Sequence, residues 1–201
     1  MKTHSSAFEK IAIAALFAVA IAWRIVTAYS GDTNWLPNFA PLTAIALCGA
    51  IYFPKRAALL LPLAALFVSD LVLNAHYGVD LLRSEMLPRY AALAIAGGIG
   101  LMLRARPRFS LVLGGSIVSS LLFYIGTDTA SWFSNPAYAK NFAGLVQALT
   151  TGQPGFPPTW MFFRNTFVSD LVFTALFLGC LAITRERHAT ETAPLSATRI
   201  A

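Results

Sequence analysis

Six apolar runs follow one another along this chain, at residues 11–28, 40–53, 57–75, 90–103, 109–126 and 160–184. A helix that spans a bilayer needs about 20 predominantly apolar residues, and several of the runs approach that length, the second and fourth being shorter. Hydrophobic residues make up 57% of the 201 and charged residues only 12%, too little polar surface for an ordinary water-soluble domain. The expected fold is therefore all-α: a bundle of six transmembrane helices forming one domain over residues 1–188. Residues 189–201, rich in Ala, Thr and Ser, are expected as a disordered tail. The first run follows Lys2 and Lys10 as a signal peptide would, but it is long for one, contains Arg24 and ends in no clear cleavage pattern. It reads as a retained helix.

The net charge of +6 would suit a nucleic-acid partner if the basic residues shared a face. They fall instead in short clusters between the apolar runs, which marks topology and excludes nucleic acid. Placing both termini in the cytoplasm puts Lys2, Lys10, Lys55, Arg56, Arg104, Arg106, Arg108, Arg185, Arg187 and Arg199 on that side, against only Arg83, Arg89 and Lys140 on the other. Cys48 and Cys180 both lie within apolar runs, so no disulfide framework is implied.

Residues 67–72 and 167–172 carry the same hexapeptide, Phe-Val-Ser-Asp-Leu-Val, and each copy places a carboxylate inside an apolar run. An ionisable group at membrane depth is costly and is a functional-site candidate by default. In the six-helix topology the two copies cross in opposite directions, with Asp70 roughly 21 Å along its helix from Arg56 and Asp170 roughly 15 Å from Trp160 at ~1.5 Å per residue. An inverted repeat and a coincidence both produce this pattern. Arg24 and Arg164 share the layer. Arg164 and Asp170, six residues apart, point to different sides of one helix and cannot pair with each other. Two readings stand side by side: a structural bridge from Arg24 to Asp70 or Asp170, or a polar cavity in which these groups hold a substrate.

The connections on the outer side add candidates. Residues 29–39 supply Asp32, Asn34, Trp35, Asn38 and Phe39, and a long connection at 127–159 carries Asp128 and Trp132, with 138–149 expected as a short amphipathic helix. Tyr138 and Trp160 read as members of an interfacial aromatic belt, whereas Trp35 and Trp132, flanked by polar residues, suit a cavity mouth. On the first helix Ala14, Ala18 and Ala22 form a stripe of small residues, for packing within the bundle or for docking another membrane subunit. Cys48 reads as a small core residue. The sharper reading, a thiolate ligand to a metal, lacks a neighbouring His or second Cys.

Arg24, the block Pro37-Asn38-Phe39-Ala40-Pro41, Ser69-Asp70-Leu71, Trp132, Tyr138, Gly144-Leu145, the block Phe162-Phe163-Arg164-Asn165-Thr166 and Asp170 together resemble an uncharacterised family of small bacterial membrane proteins described as transport proteins. That family is similar to the substrate-binding S components of energy-coupling-factor (ECF) vitamin transporters. The resemblance covers about residues 20–184 and departs from the family at Cys48 and Asp128. It implies a multi-pass protein of the bacterial inner membrane with an outward-facing pocket for a small water-soluble nutrient, vitamin-like with a corrinoid as one candidate, and no catalytic residues. It further implies docking of an ECF-type coupling subunit and its ATPases through Ala14, Ala18 and Ala22; no phosphate-cradling loop in this chain would supply energy itself. The substrate-binding set expected is Arg24, Trp35, Asn38, Asp70, Asp128, Trp132, Arg164, Asn165 and Asp170. Two other classes stay open: an intramembrane enzyme with Asp70 and Asp170 as an acid/base pair, and a ligand-free structural or assembly protein.

Overall fold

The computed structural model describes residues 7–29, 38–54 and 57–192. Among them the chain forms seven helices and no strand: α1 (Ala7–Tyr29), α2 (Leu42–Tyr52), α3 (Leu60–His76), α4 (Met86–Leu103), α5 (Phe109–Ser134), α6 (Phe142–Leu149) and α7 (Thr159–Thr192). Each apolar run has its helix, and α6 falls within the stretch expected to be amphipathic. Four helices are long and apolar enough to cross a membrane: Ile11–Tyr29 of α1, then α4, α5, and Thr159–Ile183 of α7. Of the six spans expected, four have a helix of that length among the described residues, and α2 and α3 are shorter apolar helices. With 11 residues, α2 extends roughly 16 Å, about half of a ~30 Å hydrocarbon core.

Several boundaries differ from those read in the sequence, two of them for a clear local reason. Pro88 sits in the first turn of α4, where its missing N–H costs nothing, so the helix starts at Met86 and takes in Arg89. At the end of α5 the polar stretch from Thr127 to Ser134 contains no Gly or Pro, and the helix continues until Asn135, whose extended backbone is what the following Pro136 favours. Asp128 and Trp132, expected on a loop, are therefore helical. Finally, α7 runs on to Thr192, past the expected start of the tail; residues 193–201 lie outside the described residues.

The fold is organised around α2. Its residues from Thr43 to Ile51 are all buried, and it packs against α1, α3, α4, α5 and α7. A helix that is apolar on every side belongs in a core, and this one has no face left for solvent or lipid. Two glycines permit the close approach: a Cβ on Gly100 of α4 would strike the Leu47 carbonyl oxygen, and one on Gly49 would strike the ring of Pro62 in α3. Burial leaves the ends of α2 short of partners, since the first N–H groups and last carbonyls of any helix are unpaired within it. Pro41, at the N-cap, has no side chain that accepts a bond. The Asp170 carboxylate of α7 takes that role instead, accepting from Ala44 N–H at 2.9 Å and from the Thr43 hydroxyl at 2.7 Å. At the other end Arg104 donates to the Ala50 carbonyl at 3.1 Å. An anion at the N-terminus and a cation at the C-terminus also match the helix dipole.

Candidate ligand cavity

The C-terminal ends of α1, α3 and α5 and the N-terminal ends of α2, α4 and α7 gather around one cavity of about 1370 Å³. The six longer helices therefore alternate in direction. Along α5 the lining extends from Ser120 to Ser134, roughly 21 Å at ~1.5 Å per residue, so the cavity penetrates well into the bundle.

The repeated hexapeptide encodes the same helical register in both copies. Ser69 and Asp70 face inward while Val68 and Val72 stay exposed, and Ser169, Asp170, Val168 and Val172 repeat the pattern. The inward partners are different. Asp70 forms an ion pair with Arg24, whose guanidinium also donates to Ser69, itself anchored to the Leu66 carbonyl at 2.7 Å. Two residues of α4 complete the shell: Arg89 lies 3.3 Å from the same carboxylate oxygen, and the Tyr90 hydroxyl donates to the other at 2.7 Å. One carboxylate thus serves two guanidinium groups, leaving the cluster with a net positive charge. Arg24 is buried, whereas the Arg89 side chain is 36% exposed, and both line the cavity with Asp70.

Asp170 is sealed off. It is fully buried, and besides Thr43 and Ala44 its carboxylate accepts from Ser120 at 2.7 Å. It does not line the cavity; Ser120, which does, stands between them. Below Asp170 the α5–α7 contact continues as a polar seam, with Thr174 donating to Ser116 at 3.1 Å. Ser119 and Ser169 are buried hydroxyls without a hydrogen-bond partner among the described residues.

The remaining expected site residues divide. Asn38 and Asp128 line the cavity. Asn38 has φ of 59°, the left-handed region that Asn tolerates better than most residues, and this turns the chain into α2. Its carbonyl accepts from Thr166 of α7 at 2.9 Å. Asp128 is half-buried, with no hydrogen-bond or ion-pair partner among the described residues. Trp132 does not line the cavity. Its indole N–H donates to the Ala139 carbonyl at 2.8 Å, and with Lys140, which donates to the Trp132 carbonyl, it ties the end of α5 to the following segment. Arg164 is exposed and keeps to its own helix, donating to the Asn165 side chain at 3.0 and 3.1 Å with its guanidinium 5.6 Å from the Trp160 ring. Asn165 is buried and, like Arg164, is absent from the lining. Trp35, with Asp32 and Asn34, lies outside the described residues.

Cys48 is fully buried in the core beside Thr174 and away from the cavity. No group of three His, Cys, Asp or Glu among the described residues is arranged to hold a metal ion. Ala14, Ala18 and Ala22 are all exposed, so they do not pack within the bundle. The residues that sequence reasoning missed are Arg89 and Tyr90, Ser69, Thr43 and Ser120, together with the aromatic wall of Phe123, Tyr124, Phe162 and Phe163, in which Tyr124 and Phe163 stack at 4.3 Å. The apolar runs held no signal for Arg89: it lies just before the fourth run and joins Asp70 because α4 already starts at Met86.

The model of a family described as a family of unknown function (DUF6580) matches residues 4–193. No curated protein and no solved structure matches the chain. Nothing in these comparisons links it to S components or to a transport family.

Proposed function

The chain belongs to this family of unknown function, DUF6580, and from its geometry we propose that it is a multi-pass membrane protein that binds a small water-soluble molecule in the cavity and carries it across the bilayer. One observation carries the reading. A cavity of about 1370 Å³ at the helix ends, larger than the ~300–1,000 Å³ of most ligand pockets, reaches a cluster of two arginines and a carboxylate that is left net positive. Purely structural pairing would favour a neutral, closed arrangement, because desolvating an unmatched charge in an apolar bundle is costly.

In this reading all six longer helices cross the membrane, α2 and α3 being extended by their flanking segments, as in an S component. The cavity faces outward, and both termini are on the cytoplasmic side of a bacterial inner membrane. Support for the polarity comes from Arg104, Arg106 and Arg108, which connect α4 to α5 at the end of the molecule away from the cavity. The exposed stripe of Ala14, Ala18 and Ala22 is available for a coupling subunit of the ECF kind, and a vitamin-like ligand, a corrinoid included, suits the volume. An enzyme built on Asp70 and Asp170 has less behind it, since only Asp70 lines the cavity.

Native mass spectrometry of protein purified from its host membrane tests the proposal. The expected result is a co-purified small molecule that raises thermal stability when added back and is lost when the cavity is filled by Thr127→Trp. Absence of any such molecule, with no stabilisation by a panel of water-soluble vitamins, leaves a structural role in its place.

A further inference from the structure

Six charged side chains line the cavity among the described residues, the cations Arg24, Arg83 and Arg89 and the anions Asp70, Glu85 and Asp128. The lining is neutral in total, but its charges are not matched one to one. Arg24 is consumed by Asp70 and Ser69, and Arg83 pairs with Glu85 at 3.3 Å in an exposed bridge. Arg89 is the surplus cation, sharing a carboxylate that Arg24 already neutralises and making one hydrogen bond with a group that has five donors. Asp128 is the surplus anion, half-buried on α5 and without a hydrogen-bond or ion-pair partner among the described residues. The same lining includes aromatic residues from two helices, Phe123 and Tyr124 from α5 and Phe162 and Phe163 from α7.

Building on the binding function above, we propose that the ligand is amphoteric: an anionic group held by Arg89 and a protonated nitrogen held by Asp128, joined by a flat body lying along the aromatic wall. A half-buried carboxylate without a partner costs stability in the empty protein, and a ligand cation removes that cost. A purely anionic ligand would leave Asp128 unmatched and facing a like charge. A purely cationic one would leave Arg89 so.

Titration calorimetry of the full-length protein in detergent decides this, with para-(aminomethyl)benzoate and its biphenyl homologue as amphoteric probes and benzoate and benzylamine as singly charged ones. The better amphoteric probe is expected to bind at least about tenfold more tightly than either singly charged probe, the effect of one added charge-assisted contact. Asp128→Asn should remove that advantage, leave benzoate binding equal or tighter, and leave the thermal stability of the ligand-free protein equal or higher. Arg89→Gln should abolish benzoate binding; should this variant fail to fold, the Asp128→Asn result decides alone. Benzoate binding as tightly as the amphoteric probes overturns the inference. So does a loss of ligand-free stability in Asp128→Asn, which means that the carboxylate already has a partner. A co-purified molecule of single charge overturns it while the binding function stands. If no probe binds and nothing co-purifies, both fall together.

Discussion

Asp170 accepts hydrogen bonds from a backbone amide and two hydroxyls, and Asp70 from two arginines and a tyrosine, although the six residues around each are the same. Replacing Asp170 with Ala leaves the Ala44 amide buried without an acceptor and uncaps α2, a loss of roughly 2–4 kcal/mol from the cap and the stranded donors together. Asp170→Asn retains one acceptor and should cost less; thermal unfolding in detergent separates the two. Asp70→Asn strands the buried Arg24 charge, at roughly 3 kcal/mol or more, and the double substitution with Arg24→Gln should recover part of that loss. Ser169→Ala should be neutral or stabilising, because the hydroxyl it deletes is buried with no hydrogen-bond partner among the described residues. At Asn38 a glycine should be tolerated, whereas a valine would be strained at φ of 59°.

Among the elements, α2 depends most on its neighbours. Its 11 residues are too few to be stable alone, and it is held by packing on every side and by side chains from α7 and α4 at its two ends. Gly100→Ala should destabilise by roughly 1–3 kcal/mol, since the added methyl meets the backbone oxygen of Leu47, which cannot move aside. Gly98→Ala, two residues away and facing open space, should instead gain up to about 1 kcal/mol from helix propensity. The contrast between the two, measured as unfolding midpoints, tests whether α4 presents Gly100 to α2. Loss of the Arg104 bond in Arg104→Gln should cost about 0.5–1.5 kcal/mol.

For the molecule as a whole, alternating helices place the cavity and the Arg104–Arg108 connection at opposite ends. In cells expressing a Cys48→Ala, Cys180→Ala background, a cysteine at Glu85 should react with a membrane-impermeant thiol reagent from outside. A cysteine at Arg106 should react only after permeabilisation. The reverse pattern would invert the proposed orientation and with it the proposed direction of transport.

Apolar run length, the cost of charge at membrane depth and the spacing of basic clusters are local properties. They sufficed for an all-helical chain and left Arg24 with two candidate partners, Asp70 and Asp170, between which the tertiary structure chose Asp70. Helix phase also held the correct reading of Arg164: six residues from an inward Asp170, it points outward. Other features depended on where helices begin and which neighbours they meet. Asp170 became a cap only because α2 starts deep within the bundle, after a turn at Asn38. Arg89 joined the site only because α4 starts before Pro88. A hexapeptide specifies which side of its helix faces inward; the partner it finds there is decided by helices distant in sequence. For that reason one copy of Phe-Val-Ser-Asp-Leu-Val borders the cavity while the other closes the end of the central helix.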